Sequence, residues 1–191
     1  MNAESSRDIQ VWDPALRLFH WSLAGSFLVA YVTEDDWMTL HVYAGYLVGI
    51  LIVLRLVWGF VGTRHARFSD FVRTPREVLV YVKDAVRRRA SRYIGHNPAG
   101  GVMVVALLIS LALTVVTGIA LYGVEDSAGP LAGVWRGEQA SEVLEEIHEV
   151  GANITLFLVV LHLVGVLFTS LEQGENLVKA MITGRKKGLQ Q

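Results

Sequence analysis

Four stretches of this chain, at about residues 14–32, 38–61, 102–122 and 147–171, are apolar and long enough to cross a bilayer, whose hydrocarbon core takes roughly 20 residues of helix. Lipid offers no water to a peptide N–H or C=O, so each stretch must close its own backbone hydrogen bonds as an α-helix. The fold class expected is therefore all-α, an integral membrane four-helix bundle, and 191 residues suit a single domain over 1–191. Composition agrees, with 52% apolar and only 18% charged residues. There is no cysteine, which excludes disulfides, iron–sulfur clusters, thiolate zinc sites and covalent haem attachment through C-x-x-C-H. The opening MNAESSRDIQVWDP lacks the charged, apolar and small-residue succession of a removable signal peptide, so the first span is expected to act as the anchor.

Local signals set the boundaries. Residues 1–12 are polar and read as a mobile arm; Asp13 then caps a helix with Pro14 at its first position, where a missing N–H costs nothing. Between spans two and three lies a polar connection, 62–101, with nine basic residues against three acids. Inside it Thr74-Pro75-Arg76-Glu77 has the form of a capping box, predicting a helix from 75 to about 92. Its Val78, Tyr81, Val82, Ala85 and Val86 make an apolar stripe beside an arginine-rich face, the pattern of a cytoplasmic amphipathic helix lying on anionic headgroups or of a solvated surface helix. Asn97 before Pro98 reads as another cap, and 172–191 as a basic tail.

Charge distribution orients the spans. Of the 17 Lys and Arg residues, 15 fall in the N-terminal segment, the 62–101 connection or the tail. Arg55 lies within span two and Arg136 alone on the other side, where Glu34, Asp35, Asp36, Glu125, Asp126 and Glu138 collect. By the positive-inside rule both termini and the connection are cytoplasmic. Trp12, Trp37, Trp58 and Trp135 fall near span ends, as interface anchors do.

Within this apolar frame, four histidines stand out because ionisable groups in lipid are costly and usually functional. His148 and His162 are fourteen residues apart on span four, so they share a face to within about 40° at depths about 21 Å apart. His41 and Arg55 repeat the interval on span two. Gly45, Gly151 and Gly165 follow His41, His148 and His162 within about a turn and leave room beside the rings for something flat and wide. Depth pairs His20 with His162 on the inner side and His41 with His148 on the outer. Two ligands per level are too few for zinc or copper, which want three or four. A haem supplies four nitrogens and needs two more, and bis-imidazole ligation leaves no open position, which favours electron transfer. The expectation is thus two non-covalent b haems, with Arg55 near an inner propionate. His65 and His96 lie in the connection and read as structural, His96 being within reach of a propionate. Span three, with Thr114, Thr117 and Gly118 but no histidine, reads as packing.

The motifs WDPALRLFHW, LHVYAGY, RLVWGFVGTRHARF, YIGHNPAGG and HEVGANITLFLVVLHLVGV run through nearly every element in order. In these the chain resembles the bacterial cytochrome b561 and nickel-iron hydrogenase b-type cytochrome subunit family. The resemblance implies a di-haem cytochrome of the bacterial cytoplasmic membrane, passing electrons between the quinone pool and an outer-face partner such as a hydrogenase or a c-type cytochrome. It also implies an enzymatic alternative, oxidation of superoxide with direct reduction of quinone, as in some relatives; a third class, free of redox chemistry, is an apolar scaffold or small transporter. No catalytic residue is assigned, and the basic inner surface near His96 and Arg92 is the nearest candidate for a quinone site. No nucleic-acid partner is expected; lipid-facing positions and a homo-oligomer seam would both be aliphatic here, so both readings stand.

Overall fold

The computed structural model describes residues 8–34 and 36–188; the expectations for residues 1–7, Asp35 and the end of the tail at 189–191 lie outside them. Four helices are long and apolar enough to cross a membrane: α1 (Pro14–Val32), α2 (Met38–Val61), α5 (Pro98–Glu125) and α6 (Glu138–Gln173). Between α2 and α5 come a short 3₁₀ turn (Arg64–Ala66), α3 (Phe68–Phe71) and α4 (Pro75–Val86). After α6 the chain forms α7 (Leu177–Thr183), and two short strands, β1 (Asp8–Gln10) and β2 (Arg185–Lys187), pair antiparallel. The all-α membrane class holds, and α1 and α2 have the expected bounds.

Three elements differ in extent. The apolar runs of spans three and four are cores of longer helices: Asn97 caps α5 as expected, accepting from the Gly100 amide at 2.7 Å four residues before the apolar run, and α6 begins at Glu138 among acids that suit a helix N-terminus. Helix α4 stops at Val86, six residues short, and Arg88 takes a left-handed φ of 56°. Its capping box forms as expected, but RRRASR beyond Val86 offers no apolar stripe to bury, and a short helix without packing does not persist. The polar arm is also wrong where it is described: residues 8–10 form β1, while Val11 and Trp12 are buried.

The chain divides into two compact units. The first comprises Met1–His20, Arg55–Val104 and Leu161–Gln191. Its core is Val11, Trp12, Leu16 and Ala66, with Phe19, Trp58, Ile94 and Met181 against it. Asp13 organises this region, accepting from the Leu16 amide (2.9 Å), the Thr63 hydroxyl (2.6 Å) and the Trp58 indole (3.2 Å). Burial opposes its charge, but the three donors outweigh burial and hold the carboxyl below its usual range. The tail is built in: Val11 and Trp12 donate to the Gly184 carbonyl at 2.8 and 3.1 Å. Gly184 caps α7 with φ +80°, and a Cβ there would meet the Trp12 carbonyl at 2.5 Å, so only glycine serves. Lys186, 5% exposed, pairs with Glu175 (3.3 Å) and donates to the carbonyls of Tyr93 and Ile94.

The second unit comprises Trp21–Leu54 and Val105–Val160. Val48 and Ile52 of α2 and Leu111 of α5 form its core, with Leu23 and Phe27 of α1 packed against them. The helices α5 and α6 are joined by buried hydroxyls, Ser110 Oγ to Thr155 Oγ1 at 2.7 Å, a device suited to lipid, where apolar burial alone does not drive association.

Candidate functional site

In the second unit His41, near the start of α2, and His148 of α6 bring their imidazole centroids to 6.0 Å, nearly edge-on at 79°. His41 Nδ1 lies 2.8 Å from the Ala30 carbonyl and His148 Nδ1 lies 2.9 Å from that of Thr114. A carbonyl only accepts, so both Nδ1 atoms must carry the proton. Both Nε2 lone pairs are then left for a ligand, the arrangement in which a backbone partner fixes the tautomer of a metal-binding histidine. An imidazole nitrogen sits about 2 Å from a bound metal, which puts ring centres about 6 Å apart across one ion, and that is the spacing seen.

The walls fit a flat apolar group. Phe27, Ala30, Val42, Gly45, Val48, Leu111, Val115, Gly118 and Ile119 line the cavity beside the two rings, with Tyr31, Glu34, Tyr46 and Tyr122 also on its surface. Gly45 has open space where a Cβ would be. Gly151 faces α5 instead, where a Cβ would meet Thr114 Oγ1 at 3.0 Å, so it serves helix approach. The decisive glycine is one the sequence reading left as packing: a Cβ on Gly118 would lie 2.7 Å from His148 Cε1 and 3.0 Å from its Nδ1. Together with the Thr114 carbonyl, it makes α5 the seat of the His148 ring. Neither role has a sequence signature beyond a lone glycine, since any residue supplies a carbonyl.

In the first unit His20 of α1 and His162 of α6 place their centroids 6.4 Å apart, at 54°. A Cβ on Gly165 would meet nothing within 4 Å. Arg55, only 2% exposed, lies among the rings of Phe19, Phe68 and Phe71, 5.0 Å from the centroid of Phe68, and among the described residues its buried Nη1 has no hydrogen-bond partner. The Asp13 carboxylate is near enough to act on this buried cation, and Nη1 leaves a donor for a further acceptor. His96 is enclosed between Trp12 (4.7 Å) and Phe71 (4.8 Å), and its buried Nδ1 has no hydrogen-bond partner among the described residues. Burial first, then the charges of Arg55, Lys186 and His162, push its pKa down to about 3, Asp70 opposing, so the ring is neutral. Two orphaned nitrogens suit the carboxylates of a propionate-bearing macrocycle. His65 is occupied otherwise, 2.9 Å from Asp70. Among the described residues no cluster of three or more His, Cys, Asp or Glu could hold a metal, so the pairs are the metal-binding possibility present.

Comparison with known proteins points the same way. Residues 11–184 match the family described as prokaryotic cytochrome b561. The chain is 24% identical to a protein of Bradyrhizobium diazoefficiens named a probable Ni/Fe-hydrogenase B-type cytochrome subunit, over 94% of this chain and 86% of that one. Proteins of the same name from Azotobacter vinelandii (31% identical over 60% of this chain and 59% of that one) and Rhodobacter capsulatus (24%, over 93% and 81%) are also similar.

Proposed function

Because this chain belongs to the prokaryotic cytochrome b561 family, the membrane-bound b-type cytochromes of bacterial electron transfer, we propose that it holds two b haems and relays electrons across the cytoplasmic membrane between quinone and a redox protein on the outer face. His41 with His148 and His20 with His162 would hold the two irons. The observation that carries this is the pairing itself: two sets of imidazoles at the spacing of one shared iron, one set with both Nδ1 protons committed to backbone carbonyls. Haem so ligated supplies a one-electron change at an iron without an open position.

The protein's own groups do the rest. Ala30 and Thr114 fix the tautomer and orientation of the outer ligands. Arg55 and the neutral His96 supply donors to inner propionates, and the nearby basic surface around Arg92 is where quinone would dock. Glu125, Asp126, Glu138, Glu142, Glu145, Glu146 and Glu149 are exposed in the unit that holds His41 and His148, and Arg136 is the only Lys or Arg among them, so a partner with a basic face is steered there at a rate that falls with salt. A nickel-iron hydrogenase, after the names of the relatives, or a c-type cytochrome fits that role. The same acidic surface repels an anionic substrate, which weighs against direct superoxide oxidation. The pairing of β1 with β2 and the excess of Lys and Arg around it support a cytoplasmic side for both.

The test is a haem count per chain on detergent-purified protein with a reduced-minus-oxidised spectrum, repeated for His148→Ala and His162→Ala. Two b haems, with a different one lost in each variant, are expected. A parent protein with no haem would sink the redox reading, and loss of the same component in both variants would contradict the pairing.

A further inference from the structure

Helix α4 is fixed to the protein along one face only. Tyr81 is buried, with Val78 and Ala85 half-buried beside it, so these three of the five stripe residues are used in packing. A second stripe, Leu79, Val82 and Val86, at the i, i+3, i+7 spacing of a single helix face, is 71%, 43% and 78% exposed. At 100° per residue the exposed cations Arg76, Lys83 and Arg87 flank that stripe on the side away from Tyr81, and the acids Glu77 and Asp84 fall beyond them. An apolar strip edged by cations and free of carboxylates, on a protein that sits in a bilayer, is complementary to one occupant, an anionic lipid leaflet.

We propose that α4 is an interfacial helix: Leu79, Val82 and Val86 enter the boundary between headgroups and acyl chains, and Arg76, Lys83 and Arg87 engage anionic lipid phosphates. The capping box of Thr74 and Glu77 holds the helix formed while Tyr81 fixes its roll angle. This needs only the bilayer and not its side or the haem assignment, so it stands or falls separately from the electron-transfer reading.

The absence of cysteine makes the test direct. Single cysteines replacing Leu79, Val82, Val86 and, as a control beyond the cationic edge, Val80 are labelled with an environment-sensitive fluorophore, and the full chain is placed in phosphatidylcholine nanodiscs with or without phosphatidylglycerol. Labels at 79, 82 and 86 should be blue-shifted and shielded from acrylamide relative to 80, more so with phosphatidylglycerol. Reversing Arg76, Lys83 and Arg87 to Glu should release them, at about fivefold in the docking equilibrium for each cation removed. Equal quenching at all four positions in both lipids would overturn the proposal. So would shielding that ignores lipid charge and rises with the number of copies per disc, since the occupant would then be a second chain.

Discussion

Substituting Gly118 by Ala tests whether α5 seats the outer ligand. The added methyl carbon would start 2.7 Å from His148 Cε1, and ordinary contact begins at 3.4 Å, so the ring must retreat by at least 0.7 Å. Both the intruding carbon and the Thr114 carbonyl belong to α5, so the retreat also draws Nδ1 away from its acceptor. The 2.9 Å hydrogen bond stretches toward an upper limit of about 3.6 Å, beyond bonding distance. Losing such an outer partner of a metal-binding histidine typically costs 10- to 100-fold in affinity, about 1.4 to 2.7 kcal/mol. The backbone effect has the opposite sign, because Ala in a helix is favoured over Gly by roughly 0.5–1 kcal/mol. The chain should therefore stay folded and inserted while one haem is lost or spectrally altered. The assay is pyridine haemochrome quantitation with low-temperature difference spectra and low-spin resonance signals: the component removed by His148→Ala should weaken, and that removed by His162→Ala should not change. A variant with both haems at parental occupancy and an unaltered outer signal would refute the reasoning.

Arg55→Leu removes a buried positive charge and should lower the midpoint potential of the haem lost in His162→Ala more than that of the other, by on the order of 60 mV, tenfold in a one-electron equilibrium. Equal shifts in a potentiometric titration would count against its propionate role. His96 gives a pH dependence: its folded pKa of about 3 lies below the unfolded 6.5, so the unfolded chain binds the extra proton between these values. Its contribution to stability is full above pH 6.5 and is lost as pH falls toward 3. Melting temperatures should drop over that window more steeply in the parent than in His96→Asn, and parallel curves would show that His96 is not held neutral by the fold.

Much of this was legible in the residues. Asp13, Thr74 and Asn97 announced their caps, because capping is local and needs one side chain and one amide. The pairing of the four histidines could be argued from depth, since helical rise converts residue number into position. The carbonyls of Ala30 and Thr114 were illegible for the opposite reason: every residue has one, and only tertiary placement selects which is used. The strand pair joins residues at opposite ends of the chain, and three-residue strands carry too little alternation to read. In α4 the pattern gave the helix but not which of its two apolar stripes faces the protein, because both have helical spacing.

The pairing of β1 with β2 has a consequence for the order in which the molecule is made. Asp8–Gln10 are synthesised long before Arg185–Lys187, so the earlier strand waits for its partner across most of the chain. The unit with His41 and His148 uses nothing beyond Val160, so it does not depend on that seam. The unit with His20 and His162 includes both strands, so a chain truncated before Arg185 would keep the first pair in finished surroundings and leave the second in unfinished ones.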